Sequence, residues 1–317
     1  MNRRLEVIAA GRGGWFTRPD ALAAGYSDSQ VRQRVDSGQW LRLSFNSYVD
    51  PRGWPADEPP WDRSIRLHLL RVRMASERLG DVVVSHQSAA MLHGLPVWGT
   101  DLTRPHFTRV SSGRARSGRA VRVHRRAAAA DEVVELDGLR LTSVDRAIVE
   151  TTCTTTYEVG VVLADAALRM QLTSRESLTA AVLRHQRWHG SPAARAAARF
   201  ANGLSESVGE SRFRVLMANH GLPVPELQVE IRDDDGRLIG RVDFLLVGVL
   251  VIEFDGVLKY ADGADAVLAE KRREDRLRER GYGVLRFGWA DLDEPYRTAA
   301  RIWQGIARYA PGPRDKQ

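Results

Sequence analysis

Three carboxylates, Asp243, Glu253 and Asp255, interrupt an otherwise almost wholly apolar stretch, RVDFLLVGVLVIEFD. Two strands, over 238–247 and 249–254, joined at Gly248, predict a tight hairpin. A turn centred on Gly248 sets Asp243 opposite Glu253, with Cβ atoms about 5 Å apart. Asp255 follows Glu253 by two positions and so points to the same face. Runs this apolar imply strands covered on both faces. Carboxylates gathered there repel one another and lose hydration, so something must compensate. Mg²⁺ or Mn²⁺, which take hard oxygen ligands, is the economical answer. An ion pair with Lys259 or Arg241 is the alternative.

A further acid comes from the segment before the strands. Glu206, Glu210, Phe213 and Met217 share one helical face. Phe213 and Met217 are expected in the core, which directs Glu210 toward the sheet; Glu206 reads equally as a solvated charge at the helix start. Lys259 follows Asp255 by four residues, and Lys271, Arg272 and Arg273 fall on the next helix. A lysine beside a cation can orient water or stabilise charge on a phosphate. The chemistry these groups would perform is hydrolysis of a phosphodiester, with Asp243, Glu253 and Asp255 holding the ion.

A second group suits recognition. Thr17 and Ser27 are placed to cap two short helices, 18–24 and 28–37, separated by Gly25, with Pro19 in the first turn of one. The later helix carries Ser29, Gln30, Arg32, Gln33 and Arg34 beside core-facing Val31 and Val35, and those polar side chains suit base edges and phosphates. Gly38 ends it, and strand-like residues on either side of 44–47 predict a hairpin. Between Asp101 and Asp131 there is no acid, while Arg104, Arg109, Arg114, Arg116, Arg119, Arg122, Arg125 and Arg126 fall in the span. Such a loop can track a phosphate backbone or form a solvated rim. His86, His93 and His106 match no tight metal-ligand spacing and read as packing residues.

The remaining elements frame these groups. A helix is expected over 3–10 and a Pro-rich linker over 51–60. Helices follow at 61–79, 85–93 and 142–152, with strands at 82–84, 102–110, 120–124 and 139–141. Helices at 157–170, 174–188, 192–202 and 207–219 lead to strands at 227–232, 238–247 and 249–254. A charged helix over 264–281, a strand over 283–287 and a helix over 296–309 complete the pattern.

With 317 residues the chain is long enough for two or three domains. Lys and Arg number 47 against 40 acids, the formal charge is +7, and arginine supplies nearly all of the cation. This favours a polyanionic partner. One cysteine, Cys153, excludes a disulfide within the chain. The first residues lack the apolar core of a signal peptide, and the longest apolar run, 244–252, is too short to span a bilayer. A cytoplasmic protein with no membrane partner is expected.

The words GGWFTRPDALAAGYSDSQVRQRVDSGQWLRL and SYV resemble the winged-helix N-terminus of AbiEi-family antitoxins. SHQSAAMLHGLP, VHRR and LTSVDRAIVE, within 85–170, resemble the later part of the same antitoxins. That resemblance implies repression of an operon and a nucleotidyltransferase toxin as partner. GESRFRVLM, GRVDF, VIEFDG, EKRREDRLRERGYGVLRF and WADL, across 204–310, resemble the PD-(D/E)XK nucleases, in the branch related to very-short-patch repair endonucleases. It implies Glu210 as the helix acid, Asp243 as the central metal ligand, and Glu253 and Asp255 as the acids of the next strand. Asp255 stands where that superfamily has a lysine, and Lys259 falls near a position that is histidine in many members of the branch. A degenerate nuclease fold that only binds DNA is the alternative, and an RNA substrate stays open.

The expected architecture is therefore α+β and multidomain. It comprises a winged helix-turn-helix (1–50), a linker (51–60), an α/β antitoxin-like domain (61–203), a restriction-endonuclease-like α/β domain (204–310) and a tail (311–317).

Overall fold

A computed structural model describes residues 1–110, 118, 120–255 and 264–310. The expected sites Arg114, Arg116, Arg119 and Lys259 lie outside the described residues. The chain divides into two compact units, 1–154 and 155–317. The boundary expected at 203/204 lies inside the second.

The first unit begins with α1 (Arg3–Gly11), β1 (Trp15–Thr17), α2 (Arg18–Ala23), α3 (Asp28–Asp36), β2 (Leu41–Ser44) and β3 (Ser47–Val49). Its sheet has the order β1-β3-β2. Thr17 and Ser27 each accept a hydrogen bond from the backbone three residues on, and Asp20 and Gln30 answer as the reciprocal half of a capping box. Both helices thus start where the sequence placed them. The hairpin turn is carried by Asn46 at φ +57°, a left-handed conformation that asparagine tolerates. Trp40 is the hub of the core, edge-on to Phe16 and Tyr26. Strand β1, only three residues long, was not expected; it pairs antiparallel with β3.

The unit continues with α4 (Pro60–Arg78), β4 (Val82–Val84), α5 (His86–Leu92), β5 (His106–Arg109), β6 (Arg122–His124), β7 (Val133–Leu136), β8 (Leu139–Thr142) and α6 (Val144–Thr154). The sheet order is β6-β5-β4-β8-β7. Strand β7 is a second addition to the sequence reading. Asp137 and Gly138, at φ +49° and +73°, form its turn to β8, and an Asp-Gly pair is a strong hairpin signal.

The second unit opens with α7 (Tyr157–Arg169), α8 (Arg175–Arg184) and α9 (Ser191–Phe200). It goes on to α10 (Val208–Asn219), β9 (Glu226–Arg232), β10 (Leu238–Leu246), β11 (Leu250–Asp255), α11 (Ala264–Glu279), β12 (Gly283–Gly288), α12 (Trp289–Leu292) and α13 (Pro295–Tyr309). The sheet runs β12-β11-β10-β9, antiparallel except for the parallel β11–β12 pair. A buried ion pair ties the helical run to this sheet: Arg214 on α10 donates to Asp165 on α7 at 2.7 Å. Asp165 also accepts from Ser211 and from the Asn202 backbone. Apolar side chains cover both faces of the sheet. Phe244, Leu246, Ile252 and Phe254 pack with Phe213 and Ile302, while Leu245 and Val251 pack with Leu277. Among the described residues no helix is long and apolar enough to cross a membrane.

Candidate functional site

The β10–β11 hairpin pairs Phe244 with Ile252, Leu245 with Val251 and Leu246 with Leu250. One step further along this register sets Asp243 across from Glu253, as the spacing predicts. Val247 and Gly248 both have positive φ, +46° and +73°, and the Val249 N–H closes the turn on the Leu246 carbonyl. This is the twist a two-residue hairpin requires.

Helix α10 is brought against these strands by Gly209. A Cβ there would lie 2.0 Å from the Phe254 ring, so only glycine permits the approach. The neighbouring residue, Glu210, is consequently buried. Its carboxylate accepts from the Glu206 backbone at 2.9 Å and from Gln228 Nε2 at 3.0 Å. Gln228 also acts to lower the Asp243 carboxyl, so one amide lies between the helix acid and the strand acid. It lies between the paired positions Leu227–Phe244 and Val229–Val242, which puts it beside Asp243. Its φ of +53° is strained for a side-chain-bearing residue. Gln228 was not singled out from the sequence: the turn at 233–236 sets Leu238 against Arg232, and an irregularity between Leu238 and Gly240 shifts the register by one residue before Asp243 is reached.

The carboxyls of Glu210, Asp243 and Glu253 are all pushed up, in each case chiefly by burial. For Asp243, a hydrogen bond from the Phe254 N–H at 2.8 Å opposes that rise, and the charge of Asp255 adds to it. For Glu253 the opposing group is Arg273 of α11, 2.8 Å away. Arg273 also holds Glu270. Arg286 on β12 reaches Glu270 and Glu274 and lies 3.6 Å from Asp255. Among the described residues, Asp243, Glu253, Asp255, Glu270 and Glu274 thus share three guanidinium groups, the third being Arg278 at Glu274, and negative charge stays in excess on the α11 side of the sheet.

Three expectations change here. Among the described residues the cation at Glu253 is Arg273 and not Arg241, which pairs with Glu206 at 2.8 Å on the surface; Lys259 lies outside them. Lys271 is exposed, because the face of α11 turned to the sheet is the one bearing Arg273 and Leu277. The carboxylates also do not close into a ready cage. Among the described residues, three metal-ligating side chains with donor atoms within 4.8 Å of one another occur at His86, His106 and His124. His93, read from the sequence as a packing residue, hydrogen-bonds the Thr142 carbonyl.

On α3 the five proposed contact residues separate into two kinds. Ser29 bonds the Ser27 hydroxyl, and Gln30 caps the Ser27 N–H at 2.9 Å. Arg34 lies over the rings of Tyr26 and Trp40, 4.8 and 5.5 Å from their centroids. Its planar cation covers the aromatic core, so it is a packing residue rather than an outward contact. Arg32 and Gln33 are exposed. Arg32 lines a groove with Arg18, Arg42, Asn46 and Tyr48, between α3 and the β2–β3 hairpin. Arg18 there is paired with Asp28 at 2.6 Å. In the basic stretch, Arg122, Arg125 and Arg126 are exposed.

Two uncharacterised proteins of Mycobacterium tuberculosis are similar to this chain: Rv2248 of strain H37Rv and MT2308 of strain CDC 1551. Each is 37% identical over 146 residues, 45% of this chain and 53% of its own length. The chain therefore spans about half the length of the curated relatives it matches. Residues 3–44, which contain α1 to β2, match the family described as the AbiEi antitoxin transcriptional regulator.

Proposed function

We propose that the protein is a DNA-binding regulator that reads its site with α3 and the adjoining β2–β3 hairpin. The observation that carries this reading is the exposed Arg32–Gln33 pair on a doubly capped helix, beside the arginine-lined groove. Arginine and glutamine are the side chains that make two-point contacts with guanine and adenine edges. The match over residues 3–44 supports the same reading. An operon of its own and a nucleotidyltransferase toxin belong to this proposal as partners, and so does a cytoplasmic setting.

Binding of duplex DNA by the full chain, followed by gel shift or fluorescence anisotropy at several salt concentrations, tests it. Arg32→Ala and Gln33→Ala should each weaken specific binding by about 1–3 kcal/mol. Both should leave stability within about 0.5 kcal/mol, because the residues are exposed. Arg34→Ala should instead cost about 1–2 kcal/mol of stability through the two lost ring contacts. Binding that ignores Arg32 and Gln33 would remove α3 as the reading helix.

A second reading rests on the carboxylate excess around Asp243 and on the Glu210–Gln228–Asp243 link. In it the second unit is an endonuclease-like domain, with Asp243, Glu253 and Asp255 the residues that would hold Mg²⁺ or Mn²⁺. When bound, the ion would activate water for phosphodiester hydrolysis. The chain's own part is specific: Gln228 orients Asp243, Glu210 adds charge from the helix side, and Arg273 must leave Glu253 before that carboxylate can ligate. Lys259 would serve the phosphate. Incubation with DNA and Mn²⁺ tests this reading, and cleavage that persists unchanged in Asp243→Ala rejects the site.

A further inference from the structure

We propose that His86, His106 and His124 form a binding site for a zinc-class transition-metal ion in the first unit. The proposal is independent of the carboxylates and of the DNA-reading helix. His86 opens α5, His106 opens β5 and His124 ends β6. One ring nitrogen from each lies within 4.8 Å of the others. Nε2 of His124 and Nδ1 of His106 are 3.2 Å apart. Two nitrogens bound at about 2.0–2.1 Å to one tetrahedral zinc are separated by about 3.3 Å. One edge of the coordination sphere is therefore already the right length.

The protonation state suits ligation. Burial, followed by the charges of neighbouring histidine and arginine groups, holds His106 at about 3 and His124 at about 4, and pushes His86 well down. All three are neutral imidazoles, the form that ligates. Beneath them Arg146 pairs with both Glu132 and Glu150 in a buried trio. Glu150 lies 3.6 Å from His86 Nδ1, where a carboxylate can orient a metal-bound ring. Ser85 bonds His86 at 2.9 Å, and Gln87 bonds His106 at 3.2 Å. His86 has φ +53°, strain that the fold maintains to place this ring. The rings of His86 and His124 are stacked, 3.6 Å apart at 18°. Binding requires that angle to open so that both lone pairs meet one ion. The ion would then pin the short edge strand β6 to α5.

The sequence hides this site because its ligands are spread over 86–124 and match no compact motif. Histidine pairs at fixed helical spacing draw attention to His93 instead.

Zinc titration of the full metal-free chain by calorimetry, with cobalt(II) absorption as a second readout, tests the proposal. One zinc per chain is expected, with the d–d bands of tetrahedral cobalt. His106→Ala and His124→Gln should weaken binding by about ten-fold or more, while His189→Gln, at an exposed histidine of the second unit, leaves it unchanged. His124 is only partly buried, so His124→Gln carries the test if His106→Ala fails to fold by circular dichroism. Folded wild type that takes up no zinc overturns the proposal. So does equal uptake by folded His124→Gln, or loss of uptake in His189→Gln.

Discussion

Replacing Arg273 with methionine isolates the balance of charge at the β10–β11 acids. Methionine keeps much of the apolar stem, which matters because Arg273 Cδ lies 2.9 Å from where a Cβ on Gly240 would be. What is lost is the guanidinium that holds Glu253 and Glu270, each at 2.8 Å. Removing one partner of a fully buried pair costs about 3–5 kcal/mol. The Glu253 side chain keeps 12% of its exposure and Arg273 19%, so some water reaches the orphaned charge. A loss of about 2–3 kcal/mol is expected, a discount on that buried-pair range. Glu253 is already pushed up by burial, and without Arg273 it rises further. The folded state then takes up a proton at a higher pH than the unfolded chain, whose glutamates titrate near 4.5. The deficit is therefore full above the folded value and shrinks as pH falls through it toward 4.5. Mn²⁺ at a hundred times its dissociation constant would restore about 2.7 kcal/mol. Wild type should gain less, because there the ion must first displace Arg273. Denaturant unfolding with and without Mn²⁺, supported by hydrogen exchange at the Phe254 amide, measures both effects. Arg273→Met that is as stable as wild type, with no response to Mn²⁺, would refute the reasoning.

Two other substitutions probe the framework. Gly209→Ala puts a methyl group 2.0 Å from the Phe254 ring, and relief by shifting α10 should cost about 1–3 kcal/mol or more; an unchanged melting temperature would mean that the helix is not seated there. Burial alone would raise Asp50, but hydrogen bonds from Arg52 and the amino terminus prevail and hold it at about 2, against 3.8 in the free residue. Its stabilisation, about 2 kcal/mol at most, is present above 3.8 and disappears as pH falls toward 2. Asp50→Asn should therefore lose stability at neutral pH and converge with wild type in strong acid, as read by circular dichroism across an acid titration.

Much of the architecture was legible along the chain. The capping residues Thr17 and Ser27 act within three positions of themselves, so their helices could be placed from short words. The register of Asp243 against Glu253 follows from one turn at Gly248, and the two-sided burial of those strands follows from their unbroken apolar runs. Strands β1 and β7 escaped because three or four residues give too short a period, although Asp137-Gly138 marked the turn beside β7.

Side-chain partnerships were another matter. Arg34 looked like a phosphate contact until Tyr26 and Trp40 were seen beneath it. Arg273, one of three consecutive cations, was selected over Lys271 by the rotation of α11 on the sheet. Gln228 gained its role only where β9 lay beside Asp243. His124 joined His86 and His106 because β5 and β6 pair in parallel next to the start of α5. Hydrogen bonding and periodicity are local and leave their mark in sequence; the meeting of groups tens of residues apart depends on how elements pack, which only the tertiary structure decides.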